Sequence, residues 1–195
     1  MSGPRRVEVA PERLERWLDG LTARHGEGVW VGSPRDPRFE VTTADGTHVV
    51  GERFDHDPLA LMLVRRGGWA VGRAEGGDLP AHTTGTKYVQ SRTAAGGWSQ
   101  QRFARRRANQ ADALVLAVLE PAIRHLSGVP LGGLIVGGDR QLVASLLDAC
   151  AHESRLRPLL DLPRRELYDL PDPRLKVLQE AARRGRAVRL AITDR

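Results

Sequence analysis

The segment from Lys87 to Arg107 has the sequence KYVQSRTAAGGWSQQRFARRR. Its pattern predicts a strand over Lys87–Ser91, a loop of small residues over Thr93–Gly97, and then a helix whose first turns are rich in arginine. A strand that leads through a loop into a helix is typical of α/β folds. We therefore expect an α/β protein in which this loop is exposed between two regular elements.

Positive charge is concentrated in this segment. No aspartate or glutamate occurs between Asp78 and Asp112, and the segment carries six basic residues: Lys87, Arg92, Arg102, Arg105, Arg106 and Arg107. Because the formal net charge of the whole chain is also +6, the other charges cancel. A cationic surface on an otherwise neutral protein is typical of proteins that bind RNA or DNA phosphate. The alternative is an arginine-rich helix face that contacts only solvent.

The residues beside the arginines favour the nucleic-acid interpretation. Gly96 and Gly97 allow the backbone to approach a ligand closely. Trp98 adds a large ring next to the guanidinium groups, where it can stack on a base. We therefore predict that Trp98 and the six basic residues contact RNA.

The motif GGWSQQRFAR, from Gly96 to Arg105, resembles a known catalytic loop. In class-one peptide-release factors of eukaryotes and archaea, Gly-Gly-Gln is followed by Ser-Ala-Leu-Arg-Phe-Ala-Arg. The motif is more similar still to that of the release-factor-like peptidyl-tRNA hydrolases of ribosome-associated quality control, the Vms-like or VLRF family, which is Gly-Gly-Ser-Gln. LMLVRRGGWAVG at Leu61–Gly72 and LGGLIVGG at Leu131–Gly138 also resemble this family's strands before and after the loop. The resemblance covers roughly residues 58–185.

This resemblance implies a fold and a set of catalytic residues. The fold is the ribonuclease-H-like arrangement of release-factor middle domains, an α/β domain with one mixed sheet flanked by helices. In an alignment without a gap, the family's catalytic glutamine falls on Trp98, which cannot replace it. Treating Trp98 as an insertion recovers the Gly-Gly-Ser-Gln form, with Gly96 and Gly97 as its diglycine and Gln100 as the catalytic residue. Gln101 is the alternative.

A glutamine in a diglycine loop suits hydrolysis of the ester between a nascent peptide and its tRNA. This ester is already activated, so hydrolysis chiefly needs a positioned water and support for negative charge on the carbonyl oxygen. The neutral amide orients water as both donor and acceptor and is not repelled by phosphate. Backbone N–H groups at a helix N-terminus add further donors. No metal, cofactor or side-chain nucleophile is therefore expected.

The predicted activity is hydrolysis of peptidyl-tRNA on the large ribosomal subunit, which releases stalled nascent chains without reading a codon. No second domain able to read a stop codon is evident, and this motivates the last expectation. Two alternatives stay open: the loop promotes cleavage near the CCA end of the tRNA, or Trp98 has disabled the glutamine and the domain only binds ribosomal or transfer RNA. The expected partners are the large subunit and peptidyl-tRNA, and the protein is expected to be monomeric off the ribosome.

The composition predicts a cytoplasmic globular protein. The chain has 195 residues, of which 41% are hydrophobic and 28% charged, and it is long enough to bury a core. No apolar run reaches transmembrane length, and no signal-peptide core is present, so we expect no membrane contact. The single cysteine, Cys150, lies among apolar helical residues and is interpreted as a buried structural thiol.

The predicted domain division falls after residue 57. Residues 1–57 are expected to form an N-terminal helix and hairpin extension packed on the core, and residues 58–195 the release-factor-like catalytic domain. The extension has a helix over Pro11–His25 and a hairpin turn at Asp45-Gly46. The other predicted elements are strands over 59–64, 69–73, 131–136 and 187–192, a polar connection over 75–80, and helices over 99–126, 140–152 and 173–184.

Three further patterns have both a structural and a functional interpretation. His56 lies in an Asp-His-Asp-Pro run that is typical of loops and lacks spaced partner ligands for a metal. His82 is a surface histidine that either contacts RNA or only faces solvent. Gly137-Gly138-Asp139 resembles a phosphate-binding turn but lacks a Walker lysine. The predicted core strands carry no acidic cluster, which argues against magnesium-dependent nuclease chemistry.

Overall fold

The structure of the protein, a computed structural model, describes residues 3–86 and 99–194, with the backbone alone for residues 99–110. The chain forms two units. One comprises Met1–Asp55 with Arg183–Arg195, and the other comprises His56–Ala182. The first boundary lies close to the predicted one at residue 57. The C-terminal residues from Arg183 onward, which the sequence assigned to the catalytic domain, group with the N-terminal residues.

The regular elements of the described residues are ten strands and four α-helices. In chain order they are β1 (Arg5–Val9), α1 (Leu14–His25), β2 (Gly28–Val31), β3 (Arg38–Thr43), β4 (His48–Glu52), β5 (Leu59–Arg65), β6 (Gly68–Glu75), β7 (Asp78–Thr86), α2 (Ser99–Leu126), β8 (Gly133–Gly138), α3 (Arg140–His152), β9 (Arg164–Leu167), α4 (Leu175–Arg186) and β10 (Val188–Thr193). Short 3-10 turns at Pro11–Arg13 and Arg157–Asp161 precede α1 and β9. The predicted α/β class is confirmed.

The first unit is an antiparallel five-stranded sheet with the order β1-β10-β4-β3-β2. Leu14, Leu18 and Leu21 recur at helical spacing along α1 and are buried. They share one core cluster with every second residue of the sheet: Val9, Phe39, Val41, Val49, Val188, Leu190 and Ile192. Since β10 lies between β1 and β4, the predicted last strand is confirmed as a strand but belongs to this sheet and not to the mixed one.

The predicted hairpin turn between β3 and β4 is confirmed, and its aspartate is also bound to the end of α1. Gly46 has a φ of 90°, which favours glycine. The carboxylate of Asp45 accepts hydrogen bonds from the Thr47 backbone N–H at 3.0 Å and from the Thr43 hydroxyl at 2.8 Å, and lies 2.8 Å from Nδ1 of His25. The Thr47 N–H bond, followed by the His25 and Thr43 bonds, lowers the pKa of Asp45.

The second unit contains the mixed sheet, with the order β7-β6-β5-β8-β9. β5, β6 and β7 are antiparallel neighbours, whereas β8 is parallel to β5 and β9 is parallel to β8. With α2 between β7 and β8 and α3 between β8 and β9, this is the ribonuclease-H-like arrangement. The central strand β5 is buried from Leu59 to Val64, as expected for a strand covered on both faces.

Helices cover both faces of the mixed sheet. On one face, Met62, Val71 and Val136 pack in a cluster with Leu114 and Val118 of α2 and with residues of α3. Cys150 of α3 belongs to this cluster, and burial raises the pKa of its thiol to about 11, so its interpretation as a buried structural thiol is confirmed. On the other face, Leu178 of α4 lies against Gly72 of β6.

The polar connection predicted over residues 75–80 is wrong, because most of it is strand. β6 and β7 are joined by only two residues, Gly76 and Gly77, with φ of 59° and 102°. Two successive positive φ angles are typical of the tight hairpin turn that suits the twist of the strands. β7 is the sheet edge, which tolerates Pro80, and its residues alternate between exposed and half-buried.

Helix α4 begins later than the sequence predicted. The helix starts at Leu175 and not at residue 173, and the carboxylate of Asp172 lies 3.4 Å from Nε of Arg65. Leu175 is 41% exposed, whereas Leu178 and Ala182 are buried. Within the described residues, no helix is both long and apolar enough to cross a membrane.

Candidate functional site

The predicted catalytic loop lies between the edge strand β7 and the long helix α2. β7 ends at Thr86, and α2 begins at Ser99. The predicted strand over 87–91 lies outside the described residues. So do five predicted site residues: Gly96, Gly97, Trp98, Lys87 and Arg92. The first turns of α2 contain the other predicted site residues, for which the backbone is described: Gln100, Gln101, Arg102, Arg105, Arg106 and Arg107. Both candidate glutamines thus belong to the first turn of a helix, as predicted.

The C-terminal half of α2 is held by the core of the second unit. The helix has 28 residues and is therefore about 42 Å long. Leu114, Val115 and Val118 are buried, and the helix packs on β6 and α3. It runs unbroken through the buried Pro121, so that the proline does not divide it. The C-terminal half of α2, the helix that follows the loop, is therefore fixed to the core.

The strand that precedes the loop is held close to its last residue. Gly85 of β7 lies against the ring of Trp69 on β6, and a Cβ on Gly85 would overlap this ring. Trp69 is only 9% exposed and shares the core cluster of Leu114 and Val118. The same tryptophan therefore packs with the strand before the loop and with the helix after it.

A hydrogen bond also joins the strand directly to the helix. The Thr83 hydroxyl of β7 lies 2.7 Å from Nε2 of His125 in α2. Burial, and after it the positive charge of Arg124, lowers the pKa of His125. His82 and Arg73 act in the same direction, and Glu120 opposes them. His125 is thus favoured in its neutral form, in which the ring can donate to the hydroxyl or accept from it.

Acid is expected to destabilise this connection. The folded protein binds a proton at His125 less readily than the unfolded chain does. The contribution of neutral His125 to the free energy of unfolding is therefore fully present above a pH of about 6.5, and it decreases as the pH falls below that value. His125→Gln keeps a hydrogen-bonding amide that does not titrate. Thermal melting between about pH 5 and pH 8 should therefore show a smaller acid-induced fall of Tm in the variant. Equal falls in the variant and the wild type would contradict this assignment.

The glycine-rich turn after β8 has a structural role. Gly138 has a φ of 108°, and a Cβ there would overlap the Val64 carbonyl oxygen. The carboxylate of Asp139 accepts hydrogen bonds from the N–H groups of Gln141 and Leu142 at 3.0 and 3.2 Å. These donors at the start of α3 are therefore used by the cap, as in ordinary helix capping, and not by a phosphate.

Acidic residues are sparse on the mixed sheet. β5 and β8 contain no aspartate or glutamate, and Glu166 of β9 lies 3.6 Å from Nε of Arg164. In the part of the chain that the structure describes, no group of three or more His, Cys, Asp and Glu residues is placed to hold a metal ion. β5 and β8 therefore supply none of the carboxylates with which a two-metal nuclease binds its ions.

One contact near the loop was not anticipated from the sequence. Thr83 and His125 are 42 residues apart, and no local pattern relates them. His82, considered as an RNA contact, is exposed on β7, and its neighbour Thr83 is the residue that binds α2. The glycines at positions 68, 72 and 85 offered the only sequence signal, because glycine within a strand often marks a close approach of another group.

Comparison with known proteins identifies a family. The sequence model of a family described as Actinobacteria/Chloroflexi VLRF1 release factor matches residues 57–191. The match begins beside the first residue of the second unit and continues into β10. Among curated proteins, no sequence matches the chain.

Proposed function

Because the chain belongs to the family of Actinobacteria and Chloroflexi VLRF1 release factors, we propose that it hydrolyses the ester bond of peptidyl-tRNA on the large ribosomal subunit. One observation carries the proposal: the region that matches the family contains a Gly-Gly-x-Ser-Gln motif from Gly96 to Gln100, in which Trp98 is treated as an insertion. Membership of a release-factor family indicates work in translation. The finer proposal is that the substrate is a stalled nascent chain and that no codon is read.

Gln100 is the proposed catalytic residue. Its amide carries a donor and an acceptor, so it can orient a water toward the ester carbonyl carbon. Gly96 and Gly97 permit the close backbone approach that an ester surrounded by RNA requires. Backbone N–H groups at the start of α2 are available to the carbonyl oxygen as it becomes negative. The water's oxygen bonds to the carbonyl carbon, the bond to the ribose oxygen breaks, and the ribose oxygen takes a proton. The products are a free peptide and an intact tRNA.

The elements on both sides of the loop support this role. A catalytic group is effective only when its position is reproducible to a fraction of an ångström. Trp69 packs beside Gly85 at the end of β7, and Leu114 and Val118 hold the described part of α2. Thr83 and His125 then join the strand to the helix. Two elements fixed to one core are suited to present a loop between them.

The basic residues of the segment supply the proposed attraction to RNA. Lys87, Arg92, Arg102, Arg105, Arg106 and Arg107 occur without an intervening acid. Phosphate contacts of this kind give affinity without sequence preference. Trp98 is proposed to stack on a base near the end of the tRNA. Binding by shape and charge fits a factor that acts on any stalled chain.

A second candidate function is favoured by Trp98. This residue stands where an ungapped alignment of the motif places the catalytic glutamine, and an indole has no group that can orient water in the same way. If the insertion displaces Gln100 from the ester, the protein binds the ribosome or tRNA without hydrolysis.

One release assay distinguishes these functions. Large subunits that carry labelled peptidyl-tRNA are incubated with the protein, and the peptide and tRNA are analysed separately, with subunits alone as the control. Free peptide with intact tRNA is the expected result, and release from large subunits alone shows that no codon is needed. Peptide that still carries terminal nucleotides would show that the protein cleaves the tRNA near its CCA end and does not hydrolyse the ester. Co-sedimentation without release would leave only the binding function.

A further inference from the structure

The first unit contains a groove with a volume of about 780 Å³. One side is formed by four consecutive residues, 7–10, at the end of β1. The other side is formed by Arg13, Arg16 and Trp17, and Arg183 completes the lining. The volume lies within the range of ordinary ligand sites.

The groove opens along the edge of a sheet. Successive side chains of a strand point to opposite faces, so a groove over one face would be lined by every second residue. Here Val7, Glu8 and Val9 all line it, which places the opening beside the strand. Among the strands that the structure describes, β1 is the last on this side of the sheet and pairs only with β10. Its outer backbone N–H and C=O groups therefore face the groove without a neighbouring strand.

The charge of the groove is positive. Arg13 and Arg16 are exposed, and neither forms an ion pair with any residue in the described part of the chain. Glu8 is the one acidic residue of the lining, and its carboxylate lies 2.7 Å from Nε of Arg184 and 3.5 Å from Nε of Arg189. Because Glu8 is already neutralised, the guanidinium groups of α1 and its preceding turn remain available to an anionic ligand.

The groove also has an apolar wall. Val7 and Val9 contribute from β1, and Trp17 contributes from α1 while packing against the core of the unit. An edge strand, a facing helix, apolar side chains and the two exposed arginines Arg13 and Arg16 together form the setting in which an extended peptide adds to a sheet.

We propose that this groove binds an extended acidic peptide segment of a partner protein, which adds as a further strand beside β1. Backbone hydrogen bonds to β1 fix the peptide's direction and register. The side chains that it points toward α1 include carboxylates, which pair with Arg13 and Arg16, and apolar groups, which pack on Val7, Val9 and Trp17. Single-stranded RNA would satisfy the arginines but not the row of backbone groups, so the edge strand favours a peptide. The proposal does not depend on peptidyl-tRNA hydrolysis.

The test uses labelled peptides and the full-length protein. The probe is a peptide of about eight residues in which pairs of valines alternate with pairs of glutamates, so that each face of the strand carries both kinds of side chain. Its binding is measured by fluorescence anisotropy. Three comparison ligands are a peptide with lysine in place of glutamate, the acidic peptide with alternate backbone nitrogens methylated, and a labelled single-stranded RNA of similar length. Only the unmodified acidic peptide is expected to bind in the micromolar range or tighter.

Matched variants identify the site. Arg13→Glu with Arg16→Glu should weaken binding of the acidic peptide at least about tenfold. Arg24→Glu with Arg35→Glu makes the same change of charge at exposed positions outside the groove and should leave binding unchanged. Circular dichroism confirms that each variant folds, and Arg13→Lys with Arg16→Lys should retain most of the binding. Equal binding of the methylated peptide, preference for RNA, or equal effects of the two charge reversals would overturn the proposal.

Discussion

Replacing Gln100 by alanine is expected to slow release of the nascent peptide by about a hundredfold or more while leaving association with the large subunit unchanged. The methyl group of alanine can neither donate to nor accept from the attacking water, so the water loses its orientation and the developing negative charge loses support. Gln100 is not charged, and its removal leaves the attraction between the basic segment and RNA intact. The measurement is single-turnover release from labelled peptidyl-tRNA, with co-sedimentation in parallel.

Gln101→Ala is the matched control for this prediction. Adjacent residues of a helix are about 100° apart around its axis, so only one of the two amides can occupy a given position next to the ester. We expect Gln101→Ala to release peptide at a rate close to that of the wild type. If the two variants exchange their effects, Gln101 takes the catalytic role. If neither variant loses activity, glutamine catalysis in this loop is refuted.

Replacing Arg105, Arg106 and Arg107 together by glutamine should cause the second large effect. If each arginine neutralises one RNA phosphate, the slope of log K against log salt decreases by about 0.7 per residue, or by about 2 in total. The same relation predicts a several-hundredfold loss of affinity for large subunits at about 0.05 M salt and only a few-fold loss at about 0.5 M. Co-sedimentation over this range of salt measures both values.

The control for the arginine variant removes the same charge elsewhere. Arg35, Arg157 and Arg174 are exposed and lie outside the basic segment. Their joint replacement by glutamine lowers the net charge equally, yet it should change the salt slope little because no phosphate contact is lost. Equal slopes for the two triple variants would show that only the overall charge of the protein matters.

Local patterns were sufficient to predict most elements of the mixed sheet. The unbroken apolar run that becomes β5 indicated a strand covered on both faces, and the Leu-Gly-Gly-Leu-Ile-Val segment gave β8 in the same way. In α1, Leu14, Leu18 and Leu21 recur at helical spacing and are buried, in agreement with the helix predicted over Pro11–His25. These predictions succeed because hydrophobic periodicity directly reflects burial.

Long-range pairing could not be predicted in the same way. β10 was identified as a strand, but its apolar alternation does not specify a partner, and it lies between β1 and β4 of the other sheet. β7 was missed in part because its alternation of half-buried and exposed residues is carried by Leu79, Ala81 and Thr83, which are weakly contrasted with their neighbours. The groove beside β1 depends on this pairing too, since β1 becomes an edge only because β10 takes its other side.

The candidate site was predicted from its motif and from a resemblance, and neither is a statement about geometry. The family match agrees with the resemblance, and α2 begins at Ser99 as the pattern predicted, whereas the predicted strand over 87–91 lies outside the described residues. The connection between Thr83 and His125 became visible only in the fold, because it joins residues from opposite sides of the loop.

The most direct test of the account is the chemical state of the tRNA after release. Labelled peptidyl-tRNA on large subunits is treated with the wild type and with Gln100→Ala, and the 3′ end of the tRNA is examined together with the peptide. The account predicts free peptide and a complete CCA end from the wild type, and unreleased peptidyl-tRNA with the variant still bound to the subunits. Undiminished release by the variant, or a tRNA that has lost its terminal nucleotides, would contradict it.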